Sequence, residues 1–192
     1  MQSVLFWKSL TLKFIVYDIE ATCWEGTPPG VVQETIEIGA YRLDRVGNIE
    51  AYFDRLIKPE IHPQLSHYCR RLTSIDQVDI NRARRFDEVI DEFVDWTGWY
   101  DGEDIVLGSW GNFDPKQLRK DCRLNDFSDE FLERSINLRE QYRIIKGLPK
   151  KRGLKSAVKH EGFDWLGDQH RALNDAKNTV QLFRKFLDDW EF

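Results

Sequence analysis

The chain has no paired cysteine motif, no low-complexity tract, no excess of positive charge and no long apolar run. Each absence excludes something. Cys23, Cys69 and Cys122 are odd in number and widely spaced, without the CxxC or Cys/His spacing that holds zinc, so they read as reduced, semi-buried hydrophobes. No stretch reaches the roughly 20 uninterrupted apolar residues of a membrane span. Lys8 interrupts the apolar opening MQSVLFWKSLTLKF, which also lacks a small-residue cleavage site. No signal peptide is therefore expected, and the chain reads as soluble and cytoplasmic. Lys and Arg number 28 against 33 Asp and Glu, and the net charge of -5 argues against a nonspecific polyanion binder. That argument weakens if some of the acids are metal ligands whose charge an ion cancels.

What is present suits one folded unit. With 192 residues, 41% hydrophobic, and no linker rich in Gly, Ser or Pro, a single domain over residues 1–192 is expected. From Lys13 to Ala21, Phe14, Val16, Asp18 and Glu20 share one face, while Ile15, Tyr17, Ile19 and Ala21 share the other. Both faces are apolar until the acids arrive, as in a central strand covered on both sides. Thr35 to Leu43 and Ile49 to Ile57 read as two further strands joined at Gly47-Asn48, completing an antiparallel meander. Phe86 to Trp96 has helical spacing, Asp104 to Leu107 is a short strand, and a helix follows Asp114-Pro115 with Asp114 as its N-cap. Leu173 to Leu187 carries Ala176, Val180, Phe183 and Leu187 in one stripe. The order predicts an α/β fold, a mixed sheet flanked by helices, with ligands expected at strand C-terminal ends.

Asp18 and Glu20 are two apart on a strand, so both carboxylates project from one face. A divalent cation would offset their burial, while a strand end emerging into water would leave them merely solvated. Asp175 borders the apolar side of the last helix. His170, five positions earlier, would sit about 140° away on a regular helix of ~3.6 residues per turn, so it is expected on the preceding loop. Four carboxylates and one histidine, each near a strand end or helix start, suit Mg²⁺ or Mn²⁺ better than zinc. A pair of such ions can stabilise both oxygens of a phosphoryl displacement.

FIVYDIEATCWE, SWGNFDPKQL and HRALNDAKNT resemble, in order, the three motifs of the DEDDh exonucleases. HPQLSHYCRRLTSIDQ and ATCWE are similar to the enhanced-RNAi and histone-mRNA 3′ exonucleases and their bacterial relatives. The resemblance implies a ribonuclease H-like fold with a five-stranded mixed sheet. It implies that Asp18, Glu20, Asp114 and Asp175 bind two Mg²⁺ or Mn²⁺ ions, with Glu20 and His170 catalytic and His170 the general base. It further implies removal of nucleoside 5′-monophosphates from single-stranded 3′ ends, RNA in preference to DNA. The backbone at Ala21 and Thr22 would meet the terminal sugar, and Leu72 and Phe113 are candidates to support its base.

Trp24 and Trp110 fall within the motif segments and are expected at the cleft rim, whereas Trp96, Trp99, Trp165 and Trp190 read as helix packing. Lys146, Lys150, Lys151, Arg152 and Lys155 form the densest basic run, with Arg70-Arg71 and Arg82 to Arg85 as weaker clusters; each could track phosphates or form a solvated loop. Other readings of the same residues are a single-stranded DNA exonuclease, a catalytically idle nucleic-acid-binding domain of this fold, and a phosphoesterase for small metabolites. Oligomeric state is not legible.

Overall fold

The computed structural model of the chain describes residues 12–26 and 28–192, so most of the opening segment read above for a leader lies outside the described residues. β1 (Lys13–Ala21) is the central strand, with β2 (Thr35–Leu43) antiparallel on one side and β4 (Ile105–Ser109) parallel on the other. β3 (Ile49–Leu56) closes the meander beside β2, and the short β5 (Ser135–Asn137) extends the parallel edge, giving the order β3-β2-β1-β4-β5. Seven helices are described: α1 (His67–Thr73), α2 (Gln77–Arg82), α3 (Phe86–Thr97), α4 (Phe113–Leu124), α5 (Leu138–Ile145), α6 (Leu154–His160) and α7 (Ala172–Lys185). Among the described residues, no helix is long and apolar enough to cross a membrane.

The alternation along β1 divides the core. Ile15, Tyr17 and Ile19 pack under α3 with Phe53, Phe93 and Leu118, while Phe14 and Val16 pack on the other face with Tyr142, Val180 and Phe183. Three of the four odd positions and the first two even ones are thus buried in opposite layers, and the even row then delivers Asp18 and Glu20 past the edge of its apolar layer. A register irregularity at Glu20/Ala21 re-aims the strand there, as bulges beside active sites do.

Three local expectations change, the first being that the last helix ends at Lys185 and Leu187 lies in a separate 3-10 turn, Leu187–Asp189. α4 begins at Phe113 with Asn112 in the N-cap position, so Asp114 is the second helical residue and Pro115 the third. The loop after β4 turns one residue pair earlier than the proline implied, which points the Asp114 side chain inward, where it is 6% exposed. The third strand ends at Leu56, and Ile57 continues only as an isolated bridge to Arg84.

Candidate metal and nucleotide cleft

Three distant segments converge at the C-terminal ends of β1 and β4. Asp18 and Glu20 come from β1, Asp114 from the first turn of α4, and Asp175 from the first turn of α7, with His170 on the loop before it. All five line one cleft of about 560 Å³, a size common for small-ligand sites. Glu20, His170 and Asp175 each offer a ligand atom within 4.8 Å of the others. The Ile19 N–H donates to Asp114 Oδ1 at 3.4 Å, tying α4 to β1, and the His170 N–H donates to Asp175 Oδ2 at 2.9 Å.

The last segment is held by an acid that inspection of the motifs passes over. Glu37, fully buried, faces Glu20 across the β1–β2 ladder. Its Oε1 accepts from Arg171 Nε and Nη2 at 3.0 and 2.7 Å, and its Oε2 accepts from the Ala172 N–H at 2.9 Å. This bidentate pair offsets the charge of a fifth carboxylate and pins the start of α7 beside the cleft. His170, next to the anchored Arg171, adopts the left-handed region, φ 62, which is uncommon for a residue other than glycine although histidine enters it more readily than most. The signal for Glu37 was available: an acid within the apolar run of β2.

Electrostatics show the strain of gathering acids. Burial, then Asp114, Glu20 and Asp175, hold the Asp18 carboxyl well above the ordinary carboxylate range. Burial and the Asp175 and Glu37 charges raise Glu20 from 4.5 to about 8. Burial lifts Asp114 to about 6 against hydrogen bonds from its own backbone and Ile19, and lifts Asp175 to about 6 against the His170 N–H. His170 is lowered, by burial and then by Lys155, and so favours the neutral imidazole.

A pH dependence follows. Between their ordinary values and these raised ones, the folded acids hold protons that the unfolded chain releases, so stability is lost as pH rises through that window. His170, being lowered, acts in the opposite sense below its ordinary 6.5, so the fall is cleanest above it. The melting temperature of metal-free protein should therefore drop between about pH 6.5 and 8, and a divalent cation should reverse the drop. A flat or rising melting temperature in chelator would contradict the crowding of acids described here.

Other candidates are placed unevenly. Phe113 lines the cleft and is 49% exposed. Ala21 and Thr22 are buried behind Glu20; the Thr22 N–H donates to the Glu34 carbonyl at 2.9 Å, its hydroxyl accepts from the Glu34 N–H at 2.9 Å, and its carbonyl accepts from Gln33 Nε2 at 3.1 Å. Leu72 sits on α1, outside the residues lining the cleft. Trp110 is a lining residue, its Nε1 donating to the Arg152 carbonyl at 3.2 Å. Trp24 instead packs edge-on to His62, with ring centroids 5.0 Å apart. Trp165, read as packing, both contacts the apolar layer and lines the cleft, where Lys155 lies 5.8 Å from its ring.

A family model described as Exonuclease matches residues 15–183. The chain is 32% identical over 183 residues to the "3'-5' exoribonuclease 1" of Homo sapiens, an alignment covering 91% of this chain and 52% of that protein. It thus spans about half the length of that curated relative. The nuclease domain of 3'hExo, described as a DEDDh family member bound to rAMP, superposes with a TM-score of 0.86 at 32% identity, covering 92% of each chain. Exonuclease I superposes with a TM-score of 0.73 at 16% identity over 92% of this chain and 41% of its own, which speaks to fold alone. The sheet order and these neighbours make the fold ribonuclease H-like.

Proposed function

The chain belongs to the exonuclease family matched over residues 15–183, and from that premise we propose that its cleft removes nucleoside 5′-monophosphates from single-stranded 3′ ends. RNA is the preferred substrate in this reading, and a single domain carries the activity. The observation that carries it is the convergence of Asp18, Glu20, Asp114 and Asp175 with a histidine biased toward its neutral form. The RNA preference is supported by the exoribonuclease relative and by the rAMP-bound neighbour, both at 32% identity. A cytoplasmic site of action is part of the same reading.

The donor set fits hard divalent cations, because carboxylates whose pKa values are raised by burial, and for Asp18, Glu20 and Asp175 also by the charge of neighbouring acids, regain their charged forms once a cation shares them. Asp18, Glu20, Asp114 and Asp175 would hold two Mg²⁺ or Mn²⁺ ions. When bound, such a pair supplies electrostatic stabilisation of the attacking and leaving oxygens of an in-line displacement. His170, neutral near pH 7, accepts through an imidazole nitrogen the proton that the attacking water releases. Asp175 fixes that loop through the His170 N–H. Phe113, exposed in the cleft, supports the unstacked terminal base, and the backbone at Ala21 and Thr22, next to Glu20, meets the terminal sugar; Leu72, outside the cleft lining, takes no part.

Time courses on 5′-labelled and 3′-labelled oligonucleotides with Mg²⁺ or Mn²⁺ test this. A 3′ label should leave first as a mononucleotide, and a 5′ label should step down one residue at a time. A terminal 2′-deoxy sugar should slow cleavage if RNA is preferred. Internal fragments appearing first, or no release with either metal, would overturn the reading.

A further inference from the structure

The cleft faces a polyanion with acids, and among the described residues Lys155 is the one Lys or Arg lining it. Elsewhere in a chain of net charge -5, the basic clusters are neutralised only in part, and among the described residues Arg70, Arg71, Lys150, Arg152 and Lys155 make no ion pair with a carboxylate. Lys146 and Lys151 of the densest run pair with Glu161 at 3.2 Å and Glu140 at 2.7 Å, and Arg84 and Arg85 pair with Glu92 and Asp87. On the outer face of α4 the cations form one regular row that starts beside the cleft. Lys116, Arg119, Lys120 and Arg123 recur at i, i+3, i+4 and i+7, opposite the buried face of Asp114, Gln117, Leu118, Asp121 and Cys122. Arg119 donates to the Leu132 carbonyl at 2.6 Å and Lys120 to the Gln33 carbonyl at 2.8 Å, contacts that orient the cations and leave their charge whole. Among the described residues, the one carboxylate pairing with this stripe is Asp129, at 3.7 Å from Arg123.

The stripe is continuous with the cleft. Phe113, exposed at the cleft mouth, is three residues before Lys116, so they are neighbours on one helical ridge that runs on through Lys120 to Arg123. From Lys116 to Arg123 the ridge spans about 10 Å of helix rise, leading away from the acids. We propose that this stripe on α4 is a binding site for the phosphate backbone of the single strand upstream of the nucleotide being removed. It rests on the reading of the cleft as a 3′-end site and adds where the rest of the strand lies. Four cations spaced along an outward path, with Arg119 and Lys120 tethered to backbone carbonyls, imply binding dominated by phosphate charge, which depends on length and salt more than on sequence.

The test uses the full chain and the Lys116→Ala/Arg123→Ala double variant, both positions being exposed. Fluorescence anisotropy of a labelled RNA of about 20 nucleotides, in chelator so that nothing is hydrolysed, reads binding alone. The variant should bind about tenfold more weakly near 0.15 M salt, and the slope of log affinity against log salt should flatten by about 1.4. Hydrolysis of a dinucleotide should be unchanged while kcat/KM on the long strand falls by the same factor as binding. An unchanged salt slope would overturn the proposal, as would equal losses on dinucleotide and long strand, or equal competition by a polyglutamate peptide. If the wild type hydrolyses neither substrate yet shows stripe-dependent binding, the exonuclease reading fails and this site stands.

Discussion

Asp18→Asn is expected to lower turnover at least about a thousandfold while raising the melting temperature of the metal-free protein. The amide keeps the shape of the carboxyl and removes its charge, so it subtracts one member from a group in which Asp114, Glu20, Asp175 and Glu37 all push the Asp18 proton on. Buried like charges destabilise the folded chain until a cation joins them, and relieving one should add about 2–4 °C for each kcal/mol regained in a chain of this length. The gain should be largest above about pH 8, where Glu20 is also charged, and should vanish at acidic pH, where the cluster is protonated. Steady-state kinetics with thermal melts in chelator read both effects. Activity within tenfold of wild type would remove Asp18 from the chemistry, and a lower melting temperature would show that its carboxylate is a structural asset.

Gly39→Ala should lose both stability and activity, whereas Gly108→Ala should lose little of either. A Cβ at Gly39 would lie 2.0 Å from the Leu173 nitrogen and 2.3 Å from the Ala172 carbonyl carbon, both backbone atoms at the start of α7. Backbone there cannot step aside without carrying Asp175, His170 and the Glu37–Arg171 pair with it. The cost should reach the upper end of overpacking penalties, about 3 kcal/mol or more, with at least about a hundredfold loss of turnover from misplaced acid and base. At Gly108 the nearest atom is Leu138 Cδ1 at 3.1 Å, the end of a side chain that can rotate, so a change under about 1.5 kcal/mol is expected. Denaturant melts and kcat on both variants decide the matter. Similar behaviour of the two would mean that α7 is not seated on β2 as described.

Much of this arrangement was legible before any coordinates. The two-sided apolar alternation of β1 and the long stripes of α3 and α7 are strong periodic signals, because each buries many side chains against the sheet. β5 has three half-buried residues and α5 buries only Leu138 and Tyr142, too few positions for a period to show. The acid and histidine candidates share the cleft, but the Asp114 N-cap expectation missed how the loop after β4 turns at Asn112. Trp165 could not be assigned to the cleft from helix-face reasoning, since it lies on the loop between α6 and α7 whose path only tertiary packing determines. The α4 stripe escaped notice because its four cations are interleaved with buried residues and look continuous only when wound into a helix.

The central claim is that four carboxylates from distant segments form one divalent-cation site. Calorimetric titration of Mn²⁺ into wild type and Asp18→Asn near neutral pH tests it most directly. About two ions per chain should bind the wild type, with fewer and weaker sites in the variant. Equal stoichiometry and affinity in both proteins, or no binding to either, would contradict it.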